Sequence, residues 1–110
     1  MGGRSGRSPD EAVTRAIRFK PEAEQDLSDA HAWYEGQRAG LGDEMLLCVE
    51  AAIESVQRQP EGYVAVEGEI RRALLRRFPY GVFYLVETSE IVVLGVFHAA
   101  RDPRAWRSRR

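Results

Sequence analysis

Within nine positions near its end the sequence sets an imidazole, two guanidinium groups, a carboxylate and an indole: His98, Arg101, Asp102, Arg104 and Trp106. An imidazole can move a proton, arginines can hold a phosphate or carboxylate by two hydrogen bonds, and an indole can stack on a base. A second basic group precedes it, with Arg71-Arg72 and Arg76-Arg77 framing Ala73, Leu74 and Leu75. If Glu69 to Arg77 is a strand, alternation puts Arg72 and Arg76 on one face and Arg71 and Arg77 on the other. Arginine stems can then pack on a core while their heads reach solvent at the rim. The same residues admit plainer roles: charges that keep an edge strand from pairing with another chain, Asp102 paired with a neighbouring arginine, and Trp106 as a plug over the core. Both readings stand at this point.

Other chemistries find less in the chain. The only histidines are His31 and His98, and the only cysteine is Cys48, so no metal site and no internal disulfide is expected. Cys48 lies among Leu46, Leu47 and Val49 and reads as a small buried hydrophobe. Ser28, Ser55 and Ser89 have no nucleophile motif around them, and no Gly-rich phosphate loop is present. No cofactor is implied.

The charge distribution says more than the net charge of −1. Residues 10–70 carry fourteen acids against five bases, a net of −9, whereas residues 71–110 carry nine arginines against three acids, a net of +6. An anionic partner would meet the second half. Fifteen of the sixteen basic residues are arginine, which suits bidentate contacts and equally suits a biased codon usage.

The elements that must position these groups follow from periodicity. One hundred and ten residues fit one domain, and no apolar run approaches the roughly 18 residues that span a bilayer. Residues 1–12, rich in Gly, Ser and Arg without the apolar stretch of a secretory signal, read as a flexible leader, and the location expected is cytoplasmic. From Val13 to Lys20 apolar and polar residues alternate as in a half-buried strand, which Pro21 stops. Pro21 also opens a helix to about Gln37, with Glu22, Glu24 and Asp26 near its positive end and Ala23, Leu27, Ala30 and Tyr34 on one stripe, Trp33 beside it. Asp43 is placed to cap a second helix whose Met45, Leu46, Val49, Ala52, Ile53 and Val56 recur at helical spacing until Pro60. PEGYVAVEG reads as a loop, followed by strands at 69–77, 80–87 and 91–98, the last apolar throughout as in a central strand covered on both faces. The expected fold is α+β, in the order β-α-α-β-β-β: a helical hairpin on a mostly antiparallel four-stranded sheet, spanning residues 13–106, with a basic tail at 107–110.

The succession FKPEAEQDLSDAHAWYEGQRAGLGDEM and then EIRRALLRRFPYGVFYLVETSEIVVLGVFHAARDPRAW resembles the RelE/ParE superfamily of type II toxin–antitoxin toxins. The marks are Trp33-Tyr34-Glu35, Gln37 and Gly40-Leu41-Gly42 after a proline-led helix, the pair Arg71-Arg72 with Phe78-Pro79-Tyr80, and the terminal His98, Arg101-Asp102-Pro103 and Trp106. The resemblance covers about residues 16–106 and implies a small antitoxin as partner in a hetero-oligomer. RelE-like members cut messenger RNA on the ribosome, and ParE-like members inhibit DNA gyrase without a nuclease site. The RelE-like nucleases commonly carry an arginine after the tyrosine that opens the third strand; here Tyr80 is followed by Gly81. Arg101 matches their second arginine, but Trp106 and Arg107 stand where a catalytic tyrosine would be. The resemblance therefore implies a ParE-like toxin first, a ribosome-dependent nuclease with His98 and Arg101 as catalytic pair second, and an inactive antitoxin-binding domain third. Arg72, Arg76, Arg77, Arg101 and Arg104 are the expected target- and antitoxin-binding residues, and Tyr34, Leu41, Tyr80 and Trp106 the structural ones.

Overall fold

Pro21 separates the first two elements as its chemistry requires, since it cannot donate to a sheet and its fixed φ suits a first helical turn. In a computed structural model that describes residues 15–100, β1 (Ala16–Phe19) gives way there to α1 (Pro21–Gln37). α2 (Leu41–Arg58), β2 (Ala65–Glu67), β3 (Ile70–Leu74), β4 (Tyr80–Val86) and β5 (Glu90–His98) follow. The five strands form one sheet in the order β1-β5-β4-β3-β2, with β1 parallel to β5 and every other pair antiparallel. The α+β architecture is as expected, but the sheet has a fifth strand. Residues 65–67, read as loop, turn at Gly68 (φ 58°) and pair with β3. A three-residue strand is too short to show a period.

Two other boundaries differ. β3 stops at Leu74, and Arg76 and Arg77 lie in the bend that carries the chain through Phe78-Pro79 into β4. That bend is held by Leu75 N–H donating to the Tyr80 carbonyl at 2.9 Å and Tyr80 N–H to the Phe78 carbonyl at 2.7 Å. The second helix begins at Leu41, after Gly40 with a left-handed φ of 87°, so Asp43 lies inside its first turn instead of at its cap.

Both helices cover one face of the sheet. α1 buries Ala23, Ala30 and Tyr34, and α2 buries Met45, Val49, Ala52 and Val56 against Ala73, Val82, Tyr84, Ile91, Val93 and Val96. Each of the valine, isoleucine and methionine side chains contributes on the order of 1.5–3 kcal/mol by leaving water, and each alanine methyl roughly 0.8 kcal/mol. Leu41 packs at the margin of this core. A second, separate cluster lies on the other face: Ile70, Phe83, Leu85, Val92, Leu94 and Phe97, with Val66 beside it. The expectations for residues 1–12, for Val13 and for the tail at 107–110 lie outside the described residues. No described helix is long and apolar enough to cross a membrane.

Candidate functional site

The arginines are distributed by strand alternation. Pairing of Arg72 with Phe83 and of Leu74 with Gly81 sets Ile70, Arg72 and Leu74 on the face away from the helices, and Arg71 and Ala73 beneath them. Arg71 reaches the loop before β2, where its Nη1 donates to the Tyr63 carbonyl at 2.5 Å. Arg72 lays its stem across β4 at Gly81. A Cβ on Gly81 would stand 3.0 Å from Arg72 Cγ and 3.3 Å from its Cδ, so the missing side chain is the space the stem occupies. Arg72 Nε is shut off from solvent and has no hydrogen-bond partner among the described residues. A buried donor left so costs roughly 1–3 kcal/mol, which an incoming anion would recover.

Arg76 and Arg77 diverge from it. Arg77 donates to Glu44 on α2 at 2.5 Å and sits 5.7 Å from the centre of the Phe78 ring, while Arg38 approaches the same carboxylate at 3.6 Å. Arg76 lines a cleft of about 360 Å³ with Arg58, Cys48, Ala51, Ser55, Tyr63 and the exposed Leu74. Cys48 is therefore half-buried at a cleft wall, not fully enclosed. The three arginines expected to share one surface occupy three places: the far face, the cleft beside α2, and an ion pair with Glu44. Arg101, Arg104 and Trp106 lie outside the described residues.

His98 ends β5 in register with Tyr80, on the face of Val96 and Val82, which is the helix side. Its ring tilts against Tyr80 at 5.8 Å between centroids, and its Nδ1 accepts the Ala100 N–H at 3.2 Å. That bond leaves the proton of the neutral ring on Nε2, so the nitrogen free to meet a ligand is a donor. The groove around it, about 300 Å³, is lined by Asp26, Asp29, Trp33 and Tyr80 and is acidic. Asp26 also accepts the Val96 N–H at 3.1 Å, on the side of β5 beyond the last residue paired with β1. His98 and Arg72 thus stand on opposite faces, and an imidazole among carboxylates is poorly placed to act on a phosphodiester.

The structural residues cluster as aromatic chemistry favours. Tyr34 meets Trp33, Phe78 and Tyr80 edge-on, at 5.0, 4.9 and 6.0 Å between centroids, and burial followed by the nearby Tyr80 raises its hydroxyl pKa. Tyr84, not singled out by sequence, donates to the Pro60 carbonyl at 2.7 Å, and burial pushes its pKa up to about 12 against the pull of Arg71. On the sheet's edge Arg18 and Glu90 pair at 3.0 Å; Glu90 holds the guanidinium pKa up, and Arg18 holds the carboxyl pKa down.

The tip of the helical hairpin holds what sequence reasoning missed. Glu35 accepts the backbone N–H groups of Gly40 at 3.1 Å, Gly42 at 2.7 Å and Asp43 at 3.3 Å, which caps α2 from the end of α1. The Gly40 amide first, with those of Gly42 and Asp43, holds the Glu35 carboxyl below its ordinary value, against burial and the Asp43 charge. Gly42 is required there: a Cβ would lie 2.5 Å from the His31 carbonyl oxygen. His31 Nε2 stands 3.0 Å from Asp43 Oδ1, and one ligand atom from each of His31, Glu35 and Asp43 falls within 4.8 Å of the others. Both Glu35 oxygens already hold amides, so the arrangement is accounted for as a lock on the hairpin. The signal was present as Glu35 followed at five and seven positions by glycine, where only backbone donors remain.

Comparison with known proteins agrees with this architecture. The family model described as the ParE toxin of the type II toxin–antitoxin system parDE matches residues 17–103. Among solved structures, the chain is similar to a chain of the chromosomal ParDE toxin–antitoxin system from P. aeruginosa. That match has a TM-score of 0.69 and 14% identity, over 78% of this chain and 97% of that one. It is also similar to a chain of the RelBE2 toxin–antitoxin complex from Mycobacterium tuberculosis, with TM-score 0.57 and 22% identity over 78% and 99%. No curated protein sequence matches significantly. With most of its length covered by the family model, this chain belongs to the ParE toxin family of type II toxin–antitoxin systems.

Proposed function

We propose that the protein arrests growth by inhibiting DNA gyrase in the cytoplasm and is neutralised by a cognate antitoxin, with no nuclease activity of its own. The observation that carries this reading is Gly81. Where RelE-like nucleases place an arginine, this chain keeps a gap filled by the stem of Arg72, while His98 lies on the opposite face in an acidic groove. The two described groups best suited to a phosphodiester, Arg72 and His98, stand on opposite faces, which supports a reading without cleavage.

The antitoxin has two surfaces suited to it. An apolar groove of about 340 Å³ runs between Phe19, Leu27, Leu46 and Ile53 with Glu50 and Glu54 on its rim, which fits an amphipathic segment bearing basic residues. The Arg58 and Arg76 cleft fits acidic residues of the same partner. Arg72, with its unmet Nε, is the group we assign to an anionic contact of the target or the antitoxin. Arg101 and Arg104 join it in this proposal.

The test is induction in cells together with supercoiling by purified gyrase. Growth arrest with a DNA-damage response and blocked supercoiling is the expected result. Arrest of translation within minutes with gyrase unaffected would replace this reading by the ribosomal one, and absence of growth arrest would leave an inactive antitoxin-binding domain.

A further inference from the structure

The groove at the end of β5 takes no part in the target contacts proposed above, and its chemistry is opposite to that of the arginines. Asp26, Asp29 and Trp33 stand three and four positions apart, so one flank of α1 lines it, and Tyr80 and His98, at the start of β4 and the end of β5, supply the other wall. Two carboxylates and the rings of Trp33, Tyr80 and His98 thus border one space of about 300 Å³, and no lysine or arginine among the described residues lines it. Asp29 accepts the Gln25 side-chain amide at 2.8 Å and forms no ion pair among the described residues. Trp33 touches Tyr34 edge-on yet is 58% exposed, an indole that the core does not use. Carboxylates alone would hold any cation weakly in water. Aromatic faces select among cations, because they attract a flat, weakly hydrated guanidinium.

Three features say what kind of cation fits. A set of three ligands close enough to share a metal ion occurs among the described residues only at the hairpin tip, so the cation suited to this groove is an organic one. Asp29, Trp33 and His98 are exposed. A small free molecule would therefore give up its freedom of movement for few contacts, whereas a side chain on a segment held by other contacts does not bear that loss alone. His98 supplies the third feature. With Nδ1 accepting the Ala100 N–H, the Nε2–H of the neutral ring is a donor, which a main-chain carbonyl can accept and a protonated polyamine cannot.

We propose that this groove receives an arginine side chain from a segment of a partner protein, with the guanidinium on Trp33 and Asp29 and a neighbouring main-chain carbonyl on His98 Nε2. The test uses the full chain carrying Trp106→Phe, which leaves Trp33 as the single indole. It is titrated with the blocked peptide acetyl-Gly-Arg-Gly-amide, with the same peptide carrying citrulline in place of arginine, and with spermidine, while the Trp33 indole and His98 ring resonances are followed by NMR. The arginine peptide should shift both sets of resonances saturably, the citrulline peptide should not, and spermidine should bind more weakly. Asp29→Asn, which keeps an acceptor for Gln25, should lower the affinity for the arginine peptide about two- to fivefold, as expected for one exposed charge contact. No saturable shift, equal binding of the citrulline peptide, or an affinity unchanged by Asp29→Asn overturns the proposal. Tighter binding of spermidine overturns it in favour of a free polyamine. Nuclear Overhauser contacts from the Trp33 indole to an arginine of the chain itself, before any peptide is added, overturn it in favour of an internal occupant.

Discussion

On the helix side of the sheet Val82, Tyr84, Val93 and Val96 meet two amphipathic helices, whereas on the far side Phe83, Leu85, Leu94 and Phe97 share their surface with Arg72. The strands are the same, and successive residues are dealt alternately to the two sides. The difference teaches that a run such as YGVFYLV, apolar at nearly every position, is serving two separate interiors. It also separates His98, which falls to the helix side, from Arg72, which does not.

The sharpest way to break this comparison is Phe83→Ala. A side chain 1% exposed in a packed cluster should cost about 3–5 kcal/mol on truncation, comparable with Met45→Ala on the helix side at about 2–5 kcal/mol. Urea unfolding of both variants decides it; a loss under about 1 kcal/mol at Phe83 would mean that the far face is open in solution.

Gly81→Arg probes the slot beneath Arg72 on the far face and the choice of target together. The new Cβ would press on Arg72 Cγ at 3.0 Å, so the stem must lift, at a cost of about 1–3 kcal/mol. The variant should unfold at lower denaturant and gain no nuclease activity, because His98 remains on the other face. Acquired cleavage would show that one arginine was all the site lacked.

Tyr84→Phe should cost about 1 kcal/mol through the lost bond to Pro60. It should also flatten the alkaline limb of the stability profile. With the folded pKa raised to about 12, the folded state holds the proton longer than the unfolded chain does. The contribution is therefore complete below about pH 10, the ordinary tyrosine value, and fades as pH rises toward 12. Glu35→Gln acts at the other extreme. Its lowered pKa gives stability that is present at neutral pH and lost as pH falls through the folded value, so the substitution should lower Tm by a few degrees near pH 7 and less in acid.

The smallest effect belongs to Arg77→Ala. The exposed pair with Glu44 should be worth under about 1 kcal/mol and should weaken further in salt. Antitoxin affinity, measured by calorimetry, should fall more with Arg72→Ala than with Arg77→Ala, since Arg77 already has a carboxylate and Arg72 Nε has no acceptor among the described residues.

Periodicity carried most of the fold. The stripe of Met45, Val49, Ala52 and Val56 and the unbroken run from Ile91 to Phe97 are strong patterns over long elements, and both are buried as their spacing implies. Ala65–Glu67 was illegible because three residues carry no period, and its pairing is made by the turn at Gly68. Alternation alone would carry a strand through Arg76 and Arg77, but the ladder ends at Leu74 and both residues lie in the bend that leads to Phe78-Pro79. The cap of α2 was hidden because its acceptor, Glu35, comes from the preceding helix. The candidate site was legible in its residue types and not in its assembly. Which arginine finds a carboxylate, and which face a histidine takes, depend on register and bends that the sequence leaves implicit.

Cleavage of ribosome-bound messenger RNA by the purified toxin, with and without His98→Ala, tests the central claim most directly. Intact message in both reactions, under conditions where the same preparation blocks gyrase supercoiling, is the predicted result. Message cut by the intact chain and spared by the His98→Ala variant would contradict the account.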